Sequence, residues 1–132
     1  MTELIEFVRV VSFGYLHGGP PEADVVLDVR GSLRDPHVDP TFRQLDGTNL
    51  RVIDRVLKTP GAIEIANGLC VLACTMQPVL VRSQRSLLIA IGCAGGRHRS
   101  VVLANYVSHQ LMVSGRMSAV GHRDLTKPVV PR

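Results

Sequence analysis

The chain has 132 residues, 45% of them hydrophobic and 20% charged, with a mean hydropathy of +0.19. That suits one folded domain, residues 1–132, and excludes a two-domain enzyme and wholesale disorder. No apolar run reads as a membrane span, and the acidic start (Glu3, Glu6) lacks the basic region of a secretory leader. Three cysteines without a CxxC pair argue against disulfides and structural zinc, so a cytoplasmic protein is expected.

Ile5 to Phe13, rich in Val and Phe before the turn-prone His17-Gly18-Gly19-Pro20-Pro21, reads as a first strand. Ala23 to Arg30 reads as a second, and its nearly continuous apolar centre (Val25, Val26, Leu27, Val29) suits burial on both faces. Gly31 to Gly47 is a long loop, of the kind that often carries function. Leu50, Ile53, Val56 and Leu57 fall at helical spacing behind the caps Thr48 and Asn49, and Pro60-Gly61 stops that helix. Ile65, Leu69, Leu72, Ala73 and Met76 predict a second helix that Pro78 ends. Leu87 to Ile91 is a third strand, Val102 or Leu103 with Val107 and Leu111 an amphipathic helix ending near Gly115, and Met117 to Val120 a last strand. Strands alternating with helices predict an α/β fold: a small, mostly parallel sheet flanked by helices, binding ligands beyond the carboxyl ends of its strands.

Charge is unevenly spread. Residues 1–81 carry a net −3 and residues 82–132 a net +7, and no acidic side chain lies between Glu64 and Asp124. Arginine outnumbers lysine 13 to 2, which favours phosphate chemistry or RNA, because a guanidinium grips phosphate oxygens in pairs.

The most informative segment is Gly92-Cys93-Ala94-Gly95-Gly96-Arg97-His98-Arg99-Ser100, between an apolar strand and an amphipathic helix. Glycines let main-chain N–H groups approach a ligand, a helix N-terminus adds positive potential, and Arg97, His98 and Arg99 add donors, so the segment reads as a glycine-rich strand-loop-helix anion site. It lacks the GxxxxGK[ST] of a nucleotide P-loop; a turn needed only for tight strand-to-helix packing is the alternative. Cys93, five residues, Arg99 and Ser100 also fit the spacing of cysteine-dependent phosphatases, in which a thiolate attacks phosphorus and the arginine holds the equatorial oxygens. Against that second reading, Gly92 stands where those enzymes usually have histidine, and no acid is identifiable as proton donor beyond guesses at Asp35 or Asp124.

Asp28 and Arg30, alternating at the carboxyl end of the second strand, point towards the glycine loop if the strands are parallel. His122-Arg123-Asp124-Leu125 invites comparison with a kinase catalytic loop, but no nucleotide-binding glycine loop with a strand lysine accompanies it. Arg97, Arg116, His122 and Arg123 remain as candidates for RNA backbone contact. His109 reads as structural, Cys70 and Cys74 as core packing, and no spacing suggests a metal site or a cofactor.

Ser12-Phe13-Gly14, Ala23-Asp24-Val25, Asp28-Val29-Arg30, Pro36-His37, Leu45-Asp46-Gly47, the stretch Ile89 to Val101 and His122-Arg123-Asp124-Leu125 together resemble the C-terminal domain of the RapZ family, over nearly the whole chain. The resemblance implies a non-catalytic α/β domain that senses an amino-sugar phosphate and, as in RapZ, binds small RNA as an adapter to a ribonuclease. It implies a phosphosugar pocket lined by Asp28, Arg30, His37, Gly92, Cys93, Ala94, Gly95, Gly96, His98, Arg99 and Ser100. Two positions depart from the family pattern: Ala94, where Thr is common, and Arg97, where Lys is frequent. Family members pair this domain with a Walker-type ATP/GTP-binding domain whose lysine has no counterpart in these residues. Nucleotide binding is therefore not carried over; a separate nucleotide-binding protein and a homo-oligomer are the further partners to consider.

Overall fold

A computed structural model describes residues 7–131. Four strands, β1 (Phe7–Gly14), β2 (Val25–Asp28), β3 (Leu87–Cys93) and β4 (Met117–His122), form one sheet in the order β2-β3-β1-β4, with every neighbouring pair parallel. The helices are α1 (Leu50–Leu57), α2 (Ala62–Val81) and α3 (Arg99–Val113). Within the long loop lie two short 3-10 turns, Pro36–Val38 and Pro40–Phe42.

The period-two alternation of β1 and β3 sets the core. Val8 and Val10 on β1, and Leu87, Ile89 and Ile91 on β3, face one side. There Ala62, Ala66, Leu69 and Ala73 of α2 and Leu103, Ala104, Val107 and Leu111 of α3 cover them. A second cluster, Phe42, Val52, Val56 and Val102, ties the long loop and α1 to α3. Among the described residues the opposite face carries no α-helix, only the 3-10 turn Tyr15–His17 and the loop after it. The segment from Tyr15 to Asp24 returns from the end of β1 to the start of β2, crossing β3: Leu16 N–H donates to Ala94 O at one end and Asp24 N–H to Leu88 O at the other, both at 2.9 Å.

Several expectations change. Ile5 and Glu6 lie outside the described residues, and the strand runs on to Gly14. The second strand is shorter than Ala23–Arg30, and burial on both faces does not hold: β2 is an edge strand with Val26 43% exposed, its apolar run serving one face. Pro78 does not end the second helix, which continues to Val81. Pro78 sits on the exposed side of the helix, so its ring displaces no core packing. Leu50 is exposed, and Val52 and Val56 are the buried pair of α1. The sequence showed no apolar run long enough for a span, yet α2, with 20 residues and a hydropathy of 1.5, is long and apolar enough to cross a membrane; one of its faces lies in the core. Cys70 and Cys74 are half-buried at the core margin.

Candidate functional site at the carboxyl ends of the strands

Parallel pairing gathers the ends of all four strands around the loop Ala94 to His98. Gly14 lies opposite Cys93, Asp28 opposite Gly92, and His122 opposite Ser12. The loop is held by close backbone contact. A Cβ on Gly14 would stand 2.4 Å from the Gly95 carbonyl carbon and 2.5 Å from the Gly96 nitrogen, and one on Gly96, whose φ is +73°, would stand 2.6 Å from the Gly14 nitrogen. Gly47 donates to Arg97 O at 2.6 Å from the other side. These glycines are required by contact, not merely by turn chemistry.

The basic side chains of the segment turn inwards. Arg99 is 2% exposed; its guanidinium donates to the carbonyls of Val29, Arg30 and Leu33 and pairs with Asp35 at 3.1 Å. His98 is also buried, its Nε2 meeting the carbonyls of Phe42 and Leu45 at 2.8 and 2.7 Å, which puts the proton on Nε2. Burial pushes its pKa below the usual histidine range, against the pull of those carbonyls. Arg97 donates to Leu125 O and Gln44 O. Cys93 Sγ and Ser100 Oγ, both buried, lie 3.1 Å apart.

The main chain of the same segment is bonded differently. Among the described residues no hydrogen bond engages the N–H groups from Gly95 to Val101. The first intrahelical bond of α3 runs from Val102 N–H to His98 O. The helix has neither a side-chain cap nor an acid in its first turn. Donors of this kind, summed with the helix dipole, are what an anion binds.

Asp28 and Arg30 form an exposed ion pair at 2.7 Å, and the Arg30 guanidinium lies 3.6 Å from the centre of the Tyr15 ring, which packs edge-on against Phe13. The hydrogen bonds from Arg30 lower the Asp28 pKa despite some desolvation. His37 is half-buried in its 3-10 turn, where its N–H donates to Asp35 Oδ1; the acid that orients this turn is thus the one that meets Arg99.

His122 is held on both ring nitrogens, by the Ser12 hydroxyl at 2.6 Å and Asn105 Oδ1 at 3.0 Å. Burial depresses its pKa while the nearby Asp46 carboxylate raises it. Arg123 donates to the carbonyls of Gly14, Gly18 and Gly19 and pairs with Asp124. Of the four RNA-contact candidates, only Arg116 has a guanidinium without a partner among the described residues. Gly14, Gly47, Tyr15, Asp35 and Asp124 complete the site. Their sequence signal was weak, because each acts on a residue distant in the chain.

Asp124 is fully buried, yet charged. Burial pushes its carboxyl up, but hydrogen bonds from Arg123, Lys127 and the Gly14 N–H outweigh it and bring the pKa down to about 2. Because the folded value lies below the unfolded one of about 3.9, this group stabilises the fold above pH ~4 and ceases to as pH falls through ~2. The contribution is at most about 2.6 kcal/mol, less after solvent screening of the partly exposed Lys127. Urea unfolding across this range should show the acid loss in the wild type and a flatter profile in Asp124→Asn; equal slopes would refute the assignment.

A parallel α/β sheet with a glycine loop leading into an uncapped helix N-terminus is the class of domain these elements define. The family model described as the RapZ C-terminal domain matches residues 6–126, and the chain belongs to that family. Similar relatives include a "Nucleotide-binding protein" of Solibacter usitatus, 38% identical over 121 residues, covering 91% of this chain and 38% of the relative. Another, "Nucleotide-binding protein STH186" of Symbiobacterium thermophilum, is 42% identical over 122 residues, covering 92% and 40%. A third, of Rhodospirillum centenum, is 42% identical over 121 residues, covering 91% and 36%. The chain thus spans about two fifths of the length of these relatives.

Proposed function

We propose that the chain is a non-catalytic regulatory domain that binds a phosphorylated metabolite, an amino-sugar phosphate being the ligand class the family implies. The observation that carries this reading is the run of unpartnered N–H groups from Gly95 to Val101 at an uncapped helix N-terminus. Phosphate oxygens would accept from these groups. The exposed Asp28–Arg30 pair, with Arg30 over the Tyr15 ring, would recognise the sugar. Arg97, His98 and Arg99 have the further role of holding the loop open from behind, since their side chains are bonded to carbonyls.

The phosphatase alternative needs Arg99 to close over a phosphoryl group on Cys93. The Cys93–Ser100 contact suits that chemistry, but the Arg99 guanidinium is committed to three carbonyls and Asp35, and Cys93 is 2% exposed. An RNA-contact role is a second part of the proposal. The exposed arginines without hydrogen-bonding or ionic partners among the described residues include Arg9 and Arg82; with Arg116 they fall towards the amino ends of the strands, away from the glycine loop. The relatives are named nucleotide-binding, a property of chains some two and a half times as long, so a nucleotide belongs among the ligands to test.

The test is titration of 15N-labelled protein with glucosamine-6-phosphate, other sugar phosphates, inorganic phosphate and ATP. The expected result is saturable shifts concentrated at the amides of Gly95, Gly96, Ser100 and Val101 with a sugar phosphate. Shifts elsewhere, or none at millimolar ligand, would sink the reading. Turnover of an aryl phosphate that disappears in Cys93→Ser would establish the phosphatase instead.

A further inference from the structure

We infer that Cys70 and Cys74, one turn apart on α2, form a soft-metal site in which a single cation of the cuprous class is held between two thiolates. The inference is independent of the ligand reading, because these thiols lie in the helical layer and not at the glycine loop.

Helices α2 and α3 lie against one another over the core face of the sheet. Tyr106 OH donates to Asn67 Oδ1 at 3.3 Å, and the Cys70 thiol lies 3.8 Å from the Val107 carbonyl oxygen. Beside these contacts is a cleft of about 460 Å³, lined by both thiols together with Asn67, Gln110, Leu111 and Ser114 among others. Both cysteines are free thiols, half-buried, and reached from solvent through this cleft. No residue lining it carries an ionised side chain, so sulfur supplies its strongest ligands for a soft ion.

Spacing decides what two such thiols can do. Side chains four apart on a helix have their Cβ atoms about 5–6 Å from each other. A disulfide needs about 3.5–4.5 Å, so a helix that runs unbroken from Ala62 to Val81 keeps the pair reduced. An ion between the sulfurs fits the wider spacing, since each metal–sulfur bond adds about 2.3 Å.

Coordination number decides which ion. Among the described residues no group of three His, Cys, Asp or Glu side chains gathers, so a tetrahedral zinc site lacks ligands here. Two thiolates alone satisfy a closed-shell cation that accepts linear two-coordination, and thiolate is a ligand that selects Cu(I).

Charge favours a cation as the occupant. Burial first, and the neighbouring Cys74 second, push the Cys70 thiol above its usual pKa, so without an ion Cys70 stays protonated at neutral pH. A bridging cation removes the repulsion that opposes a second thiolate. Its entry forms two metal–sulfur bonds, breaks two S–H bonds and releases two protons to solvent, with no change of oxidation state. The complex then carries one net negative charge, for which Asn67 and Gln110 supply amide donors at the cleft wall.

Anaerobic titration of the reduced chain with Cu(I), in competition with a chromogenic Cu(I) chelator, tests this. The wild type should take one Cu(I) per chain from the chelator and release two protons to a weakly buffered solution, and zinc should not compete. Cys70→Ser and Cys74→Ser should each lose the site while keeping the far-ultraviolet circular dichroism of the wild type. Should either fail to fold, Cys70→Ala and Cys74→Ala decide. A wild type that takes no Cu(I), a variant at either position that binds as tightly as the wild type, or zinc bound as tightly as Cu(I), overturns the inference.

Discussion

Arg99→Ala is expected to unfold or nearly unfold the ligand-free protein. Its guanidinium, almost wholly buried, closes the turn after β2 by donating to Val29, Arg30 and Leu33 carbonyls and by pairing with Asp35, 19% exposed. Removing it takes a charged donor from three carbonyls and the ionic partner from Asp35, although the Val29 carbonyl keeps the Leu33 N–H and Asp35 keeps the His37 N–H. Truncating one side of a buried charged network costs about 3–5 kcal/mol, against a total stability of about 5–15 kcal/mol. Arg99→Lys should rescue little, because one ammonium cannot reproduce a planar fork that reaches four acceptors. Urea unfolding without ligand is the measurement. A phosphate-gripping arginine would behave oppositely, its loss weakening ligand binding while leaving the apo protein as stable as before. A wild-type unfolding midpoint for Arg99→Ala would therefore return Arg99 to the ligand pocket and remove it from the framework.

The second large effect is expected at Gly14. Alanine there places its Cβ 2.4 to 2.6 Å from main-chain atoms of Gly95 and Gly96, closer than van der Waals contact allows, and both sides of the contact are backbone. Neither can rotate away, so either β1 or the glycine loop must shift. The cost should reach the upper end of the overpacking range, about 3 kcal/mol, and the loop amides should lose their native chemical shifts even where the domain stays folded. Gly31→Ala is the matched control: nothing lies within 4 Å of a Cβ at that position. Comparable destabilisation by the two substitutions would show that the Gly14 contact is not what holds the loop.

These two residues mark where a reading of the sequence stops. Arg99 stands out in the sequence as a donor beside glycines, and a donor beside glycines is ordinarily read as a ligand contact. Its acceptors are the carbonyls of residues 29, 30 and 33, main-chain atoms with no sequence signature, some 70 positions away. Gly14 looks like an ordinary turn glycine until β1 and β3 are paired and its partner at Gly95 becomes visible. His122 and Arg123 likewise pass for surface cations until β4 is laid beside β1 and their nitrogens meet Ser12, Asn105 and the carbonyls of Gly14, Gly18 and Gly19.

What the sequence determined by itself is local in origin. Apolar runs rich in Val, Ile and Phe and bounded by turn residues define β1 and β3, the Leu103-Val107-Leu111 spacing defines α3, and the glycines between β3 and α3 mark a turn. The alternation of strands and helices then implies a parallel sheet. Only the tertiary structure decided which strands lie at the edges, that α2 could pass through Pro78 because that side meets water, and which arginines hold the framework. The reason is physical: periodicity reports the face a residue turns to the core, whereas the partner of a buried charge is fixed by the packing of segments distant in sequence, and the chain order alone does not encode that distance.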